Sequence, residues 1–182
     1  MKKITLTLSV IALSAICSTG VIAQASNSAT ATSGGTAITP ITVSNSRDLN
    51  FGVFAVTATT GGSIIVAGDN STPAQAINQV TIATVGGDAP TSAQFDVAGD
   101  SNFTYTFTIA ETTFDITGAD ATTTLAVTDL TSSLGDPNAG AIGTLSAGSQ
   151  TVYVGGTLTI PAATVPQIYT VASAFNATVD YN

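Results

Sequence analysis

The sequence contains no histidine and no tryptophan, one cysteine, one methionine and only three basic residues, Lys2, Lys3 and Arg47. Each shortage closes a branch of chemistry. Without histidine no Ser-His-Asp or Cys-His nucleophile can be assembled, and zinc sites built on His and Cys close for the same reason. Without tryptophan the commonest stacking platform for a sugar is missing.

The scarce residues are also unevenly placed. Lys2 and Lys3 precede an apolar run from Ile4 to Cys17, and small residues follow at Val21, Ala23 and Ala25. This pattern predicts a secretory signal peptide over residues 1–23, with cleavage after Ala25 as the alternative. The run is too short to span a bilayer as a permanent anchor. Cys17 is preceded by Ile16, where lipid attachment requires a small residue, so Cys17 is expected to leave with the leader. Both lysines leave too, which removes the Ser-Lys option. What remains is Arg47 against eleven acidic side chains, an excess of ten negative charges. Such a chain repels phosphate backbones and anionic membrane surfaces, so neither nucleic acid nor stable membrane insertion is expected. With no cysteine left, stability has to come from burial, and a chain of this length can bury a sufficient core.

What is abundant is β-forming. Residues 24–36, QASNSATATSGGT, read as a flexible leader. From Ala37 to Asn182, runs rich in Val, Ile, Thr, Phe and Tyr alternate with Gly, Asp, Asn and Pro clusters. The pattern predicts an all-β domain, a single antiparallel β-sandwich of immunoglobulin-like or pilin-like kind. Strands are expected near 38–43, 49–56, 62–67, 79–85, 93–98, 103–110, 122–130, 141–145, 150–154, 156–160 and 168–181. The clearest is FTYTFTIA, which sets Phe103, Tyr105, Phe107 and Ile109 on one face and threonines on the other. Glycine doublets at 61–62, 86–87 and 155–156 are expected at turns or bulges. Only residues 71–79, STPAQAINQ, suit a helical turn.

Carboxylates are the remaining catalytic candidates. Glu111 and Asp115 could be offered as a glycosidase pair, but ETTFD reads more simply as a polar turn. FDITG differs from the aspartic-protease Asp-Thr-Gly turn because Ile116 separates Asp115 from Thr117. Asp100 and Glu111 stand at the first and twelfth places of an EF-hand loop, yet Tyr105 holds the sixth, where glycine is required. The turns at 68–70, 99–102 and 135–138 offer oxygen ligands without a metal-specific spacing. Tyr105, Tyr153, Tyr169 and Tyr181 read as strand residues with rings on the core. Arg47 is expected to pair with a carboxylate or cap the sheet. No catalytic residue, cofactor or metal is therefore expected, and the protein reads as no enzyme.

Several stretches in order carry a resemblance: RDLNFGVF with Asp48-Leu49-x-Phe51-Gly52, then Gly61-Gly62-Ser63-Ile64, FDVAGD from Phe95, VGGTLTI from Val154, and a terminal strand ending VDY. Together they resemble the exported bacterial family listed as domain of unknown function 4402, over nearly all of residues 24–182. The chain departs from that family before Tyr169, where Pro166, Gln167 and Ile168 stand in place of a flanking glycine. More distantly the chain resembles chaperone–usher fimbrial subunits, which are small, all-β and closed by an alternating strand with an aromatic next to last. That resemblance implies a subunit-pairing strand here, with Tyr169, Val171, Phe175, Val179 and Tyr181 on one face. The expectation is an exported structural or adhesive cell-surface protein, located in the periplasm or outside the cell. Its partners would be further copies of itself, other surface subunits or a periplasmic chaperone. The alternative is a monomeric binding module for glycan or calcium.

Overall fold

Side chains that alternate with period two put one face of a strand in the core and the other in water, and that rule organises this chain. The computed structural model describes residues 27–57, 59–83, 88–171 and 174–182. The expected signal peptide, Met1 to Ala23, lies outside these residues, as does the Gly86-Gly87 doublet. Residues 27–36 are exposed and carry no regular secondary structure. Residues Ala37–Asn182 form one compact unit.

Among the described residues thirteen strands form: β1 (Thr42–Arg47), β2 (Val53–Val56), β3 (Gly62–Val66), β4 (Gln75–Asn78), β5 (Val80–Ala83), β6 (Ala93–Ala98), β7 (Thr104–Ile109), β8 (Phe114–Gly118), β9 (Thr124–Ser132), β10 (Ala141–Thr144), β11 (Ser149–Ile160), β12 (Tyr169–Thr170) and β13 (Ala177–Tyr181). Each pairing between them is antiparallel. The main sheet runs β1-β6-β11-β9-β8-β12, with β3 and β4 attached beside β11. A smaller sheet, β10-β7-β13, and the pair β2-β5 complete the molecule. The protein is all-β, a sandwich of curled antiparallel sheets.

The core sits between the layers. Tyr105, Phe107 and Ile109 of β7 are buried, as are Val97 of β6, Leu125 and Val127 of β9, and Val152, Val154 and Leu158 of β11. Phe107 meets Phe95 of β6 at 5.8 Å between ring centroids, which joins the small sheet to the main one. Phe103 shares their parity but lies 39% exposed beyond the strand end.

Strand β11 is the spine, and its twelve residues need two partners on one side. Its first half pairs with β6 and its second half with β3, while β9 lies along the other edge. Gly155 sits where the partner changes, and a Cβ there would overlap the Val66 carbonyl. The glycine doublet is thus a close approach inside one continuous strand rather than a break between two. The facing strand takes up the irregularity in a bulge, with Asp129 at φ 51°.

Four other expectations need correction. Residues 75–78 form strand β4 rather than a helical turn; all four are exposed, so this edge strand has no apolar face to announce it. The expected polar turn over 111–115 is confined to 111–113, because Phe114 and Asp115 already belong to β8 (Phe114–Gly118), with Phe114 and Ile116 half-buried on one face. The first strand begins at Thr42, later than expected, because Pro40 removes a ladder donor before it. The expected strand over 168–181 is two short ones with different partners: β12 pairs with β8, and β13 pairs with β7.

Candidate functional site

Strands β1 and β12 are the two ends of the main sheet, and each is paired on one side only among the described residues. The sheet curls until both ends border the same groove, of about 700 Å³. Val43 of β1 and Tyr169 of β12 stand on opposite sides of it, and Phe95, Phe114 and Phe175 lie along it. A second hollow of about 670 Å³ shares Asn50, Phe51, Ile116, Tyr169 and Thr170 with the first and continues it toward β2. The site is therefore a long seam, lined by polar and apolar groups alike, beside two strands that are each paired on one side only among the described residues; a strand edge of this kind is a template for a further strand.

Local sequence builds the walls. In the stretch Asp48–Gly52, Asn50 exchanges two backbone hydrogen bonds with Thr91 at 2.9 and 2.8 Å. The Asn50 side-chain oxygen accepts from the Gly52 N–H at 2.7 Å. Gly52 takes φ 71° against the Pro90 ring, a position closed to a residue with Cβ. This clamp turns Phe51 into the core and leaves Leu49 packed beside it. On the opposite wall the Tyr169 hydroxyl donates to the Val165 carbonyl at 2.8 Å and accepts from Gln167 Nε2 at 3.3 Å. Gln167 Oε1 in turn accepts from the Asp120 N–H at 3.0 Å, tying this wall to the turn after β8.

Phe175 plugs the seam. Its ring lies 6.0 Å from Phe95 and 5.7 Å from Phe114, so one side chain bridges two strands that stand far apart in sheet order. The next residue is fastened by Glu111, whose carboxylate accepts from the Asn176 N–H at 3.1 Å and from its Nδ2 at 3.3 Å. The backbone bond from Asn176 leads in holding the Glu111 carboxyl below its ordinary range. Glu111 thus anchors the C-terminal segment, and Asp115 lies exposed on the face of β8 away from Phe114 and Ile116.

The residues expected on the pairing strand divide into two groups. Tyr169, Val171 and Phe175 line the seam. Val179 and Tyr181 do not; they lie on β13, opposite Phe107 and Tyr105 of β7, and pack against the chain's own core. The Tyr181 hydroxyl donates to the Thr39 carbonyl at 2.9 Å and accepts from the Asp100 N–H at 2.8 Å. Its ring meets Phe103 edge-on at 5.4 Å. The penultimate aromatic is an internal bolt between both ends of the domain and the loop after β6. Sequence reasoning missed Val43, Leu49, Phe51, Phe95, Phe114 and Ile116 as seam residues. The one signal available was the Asp48–Gly52 motif, which lines both hollows.

Asp69, Asp100, Asp120 and Asp136 serve turns and loop contacts. Asp69 Oδ1 accepts from the Ser71 and Thr72 N–H groups, and its Oδ2 accepts from the Thr72 hydroxyl. These bonds, the Thr72 hydroxyl foremost, pull Asp69 down to about 2. Asp120 repeats the arrangement with Thr122 and Thr123, and is also lowered, chiefly by the Thr123 hydroxyl. Asp136 accepts from the Asn138 N–H and Asp100 from the Thr39 N–H, both at 2.9 Å. Of the two roles expected for Arg47, the structure shows no pairing with a carboxylate among the described residues. Its guanidinium donates to the Ser92 carbonyl and hydroxyl and to the Asn70 side chain, and lies 5.8 Å over the Tyr153 ring, all neutral partners.

The motifs behind the family resemblance acquire physical roles. Asp48–Gly52 walls the seam, Gly99-Asp100 receives the Tyr181 hydroxyl, and Gly155-Gly156 lets β3 approach β11. A Cβ at Gly99 would overlap that same hydroxyl, so two motifs far apart in sequence require each other. Neither a curated protein nor a solved structure matches the chain. The family model described as Domain of unknown function (DUF4402) matches residues 41–181, from the residue before β1 to the end of β13, and the chain belongs to that family.

Proposed function

We propose that this protein is an exported structural or adhesive component of the bacterial cell surface, a fimbrial-type subunit that assembles by strand pairing. The observation that supports this reading is the seam, where two strands paired on one side only among the described residues border one groove that also holds three phenylalanine rings. An extended segment laid there would add ladder hydrogen bonds to an open edge and bury alternate side chains against Phe95, Phe114 and Phe175. Its partners in this role are other surface subunits, further copies of the chain, or a periplasmic chaperone that covers the seam before assembly. The acidic surface keeps the unassembled form soluble.

This reading has the seam, rather than the face of the last strand, as the pairing surface. The test is the sheared surface fraction of the native host, run unboiled beside boiled in detergent and probed for this protein. A ladder of multimers that collapses on boiling is expected, because strand-paired assemblies resist detergent until their ladders melt. A single monomer band, confined to the periplasm, overturns the proposal.

A further inference from the structure

Resting on the strand-acceptor reading, we propose that the seam's occupant is an extended, alternately apolar segment of a second protein, flanked by lysine or arginine. The charged side chains that line the two hollows are Asp48 and Asp88, both acidic and both exposed. Glu111 lies next to the seam, bonded to Asn176. Arg47, adjacent in sequence, is turned to Ser92, Asn70 and Tyr153 instead. A segment entering the groove therefore meets carboxylates at its mouth and aromatic rings within.

Electrostatic complementarity selects among otherwise similar strands, because like charges held close cost binding energy and opposite charges speed encounter. A second copy of the chain is the poorer occupant on two counts. It brings the same acidic surface, and its residues 27–36 carry no apolar side chain larger than alanine. The more apolar stretch that follows is already used, since Ile41 packs on the chain's own core and the Thr39 carbonyl holds Tyr181. Exposed Val53, Val165, Ile168 and Val171 along the two hollows leave apolar surface for the alternate apolar side chains of such a segment, while Asp48 and Asp88 favour its basic flanks.

The test uses two labelled synthetic peptides with one common Val-Thr-Ile-Thr-Val core, one flanked by lysines and the other by glutamates. Both are titrated into the purified protein by fluorescence anisotropy. At about 0.01 M salt, where charges reach roughly 30 Å, the lysine peptide is expected to bind at least about tenfold tighter. At about 1 M salt, where that reach is roughly 3 Å, the gap should close. The double substitution Asp48→Asn and Asp88→Asn should shrink the gap at low salt with an unchanged melting temperature, since both side chains are exposed. Equal, salt-insensitive binding of both peptides overturns the basic partner and leaves the strand acceptor standing. Binding of neither peptide overturns the strand acceptor as well. Self-association of the protein alone, at a concentration where the lysine peptide does not bind, assigns the seam to a second copy and overturns the proposal.

Discussion

Replacing Tyr181 with phenylalanine removes one oxygen and leaves the ring in place. The structure gives that oxygen two partners, the Thr39 carbonyl and the Asp100 N–H. A net hydrogen bond contributes about 0.5–1.5 kcal/mol, and partial exposure of Tyr181 keeps the pair toward the lower half of its range, about 1–2 kcal/mol. For a domain of this size each kcal/mol is roughly 3–5 °C. Tyr181→Phe is therefore expected to lower the melting temperature by about 3–10 °C, with the urea midpoint falling and the slope unchanged. The edge-on contact with Phe103 survives in this variant and is lost in Tyr181→Ala, which should cost about 0.5–1.5 kcal/mol more beyond its lost burial. Gly99→Ala gives an independent check, because the added Cβ would meet the same hydroxyl. Its cost should be smaller in the Tyr181→Phe background than alone, a coupling of at least about 0.5 kcal/mol. If Tyr181→Phe leaves stability unchanged and abolishes multimers in the surface fraction, the hydroxyl belongs to a partner and the internal bolt is refuted.

Three further outcomes follow from the same structure. Gly155→Ala forces a Cβ into the Val66 carbonyl at the centre of the spine and should destabilise by about 2–4 kcal/mol in urea titration, whereas Gly34→Ala, with open space around it and no positive φ, should cost little. Asp69 and Asp120 have depressed folded-state values, so near and below 3.8 the unfolded chain takes up protons that the folded chain refuses. Stability is expected to be full above about pH 5 and to fall as pH drops toward 2, with a shallower fall in the Asp69→Asn and Asp120→Asn variants, read by chemical denaturation across that window. Glu111→Ala removes both bonds to Asn176 and should speed amide exchange at Asn176 roughly tenfold, while β9 and β11 stay protected.

Period-two alternation carried much of the fold. Tyr105, Phe107 and Ile109 announce β7 because every second residue is large and apolar, and β6 and β9 are legible for the same reason. Strand β4 was not, because an edge strand with four exposed residues buries nothing and leaves composition to mislead. Strand β8 was hidden because Asp115 and Thr117 on its wet face resemble a turn when Phe114 and Ile116 are not yet known to face Phe175 and the seam. Of the candidate site, Tyr169, Val171 and Phe175 were legible as one apolar series, while the opposite wall was not.

By itself the sequence determined the chemistry available to residues 24–182, which is acidic, free of histidine and cysteine, and built for strands, because these follow from composition and local periodicity. Only the tertiary structure decided that the apolar series from Tyr169 to Tyr181 divides between two sheets. That division depends on which distant strands accept each half, β8 for one and β7 for the other. That β1 and β12, at opposite ends of the sheet order, line one groove is likewise a property of the whole sheet, and pairing over such separations leaves no mark in a local window of residues.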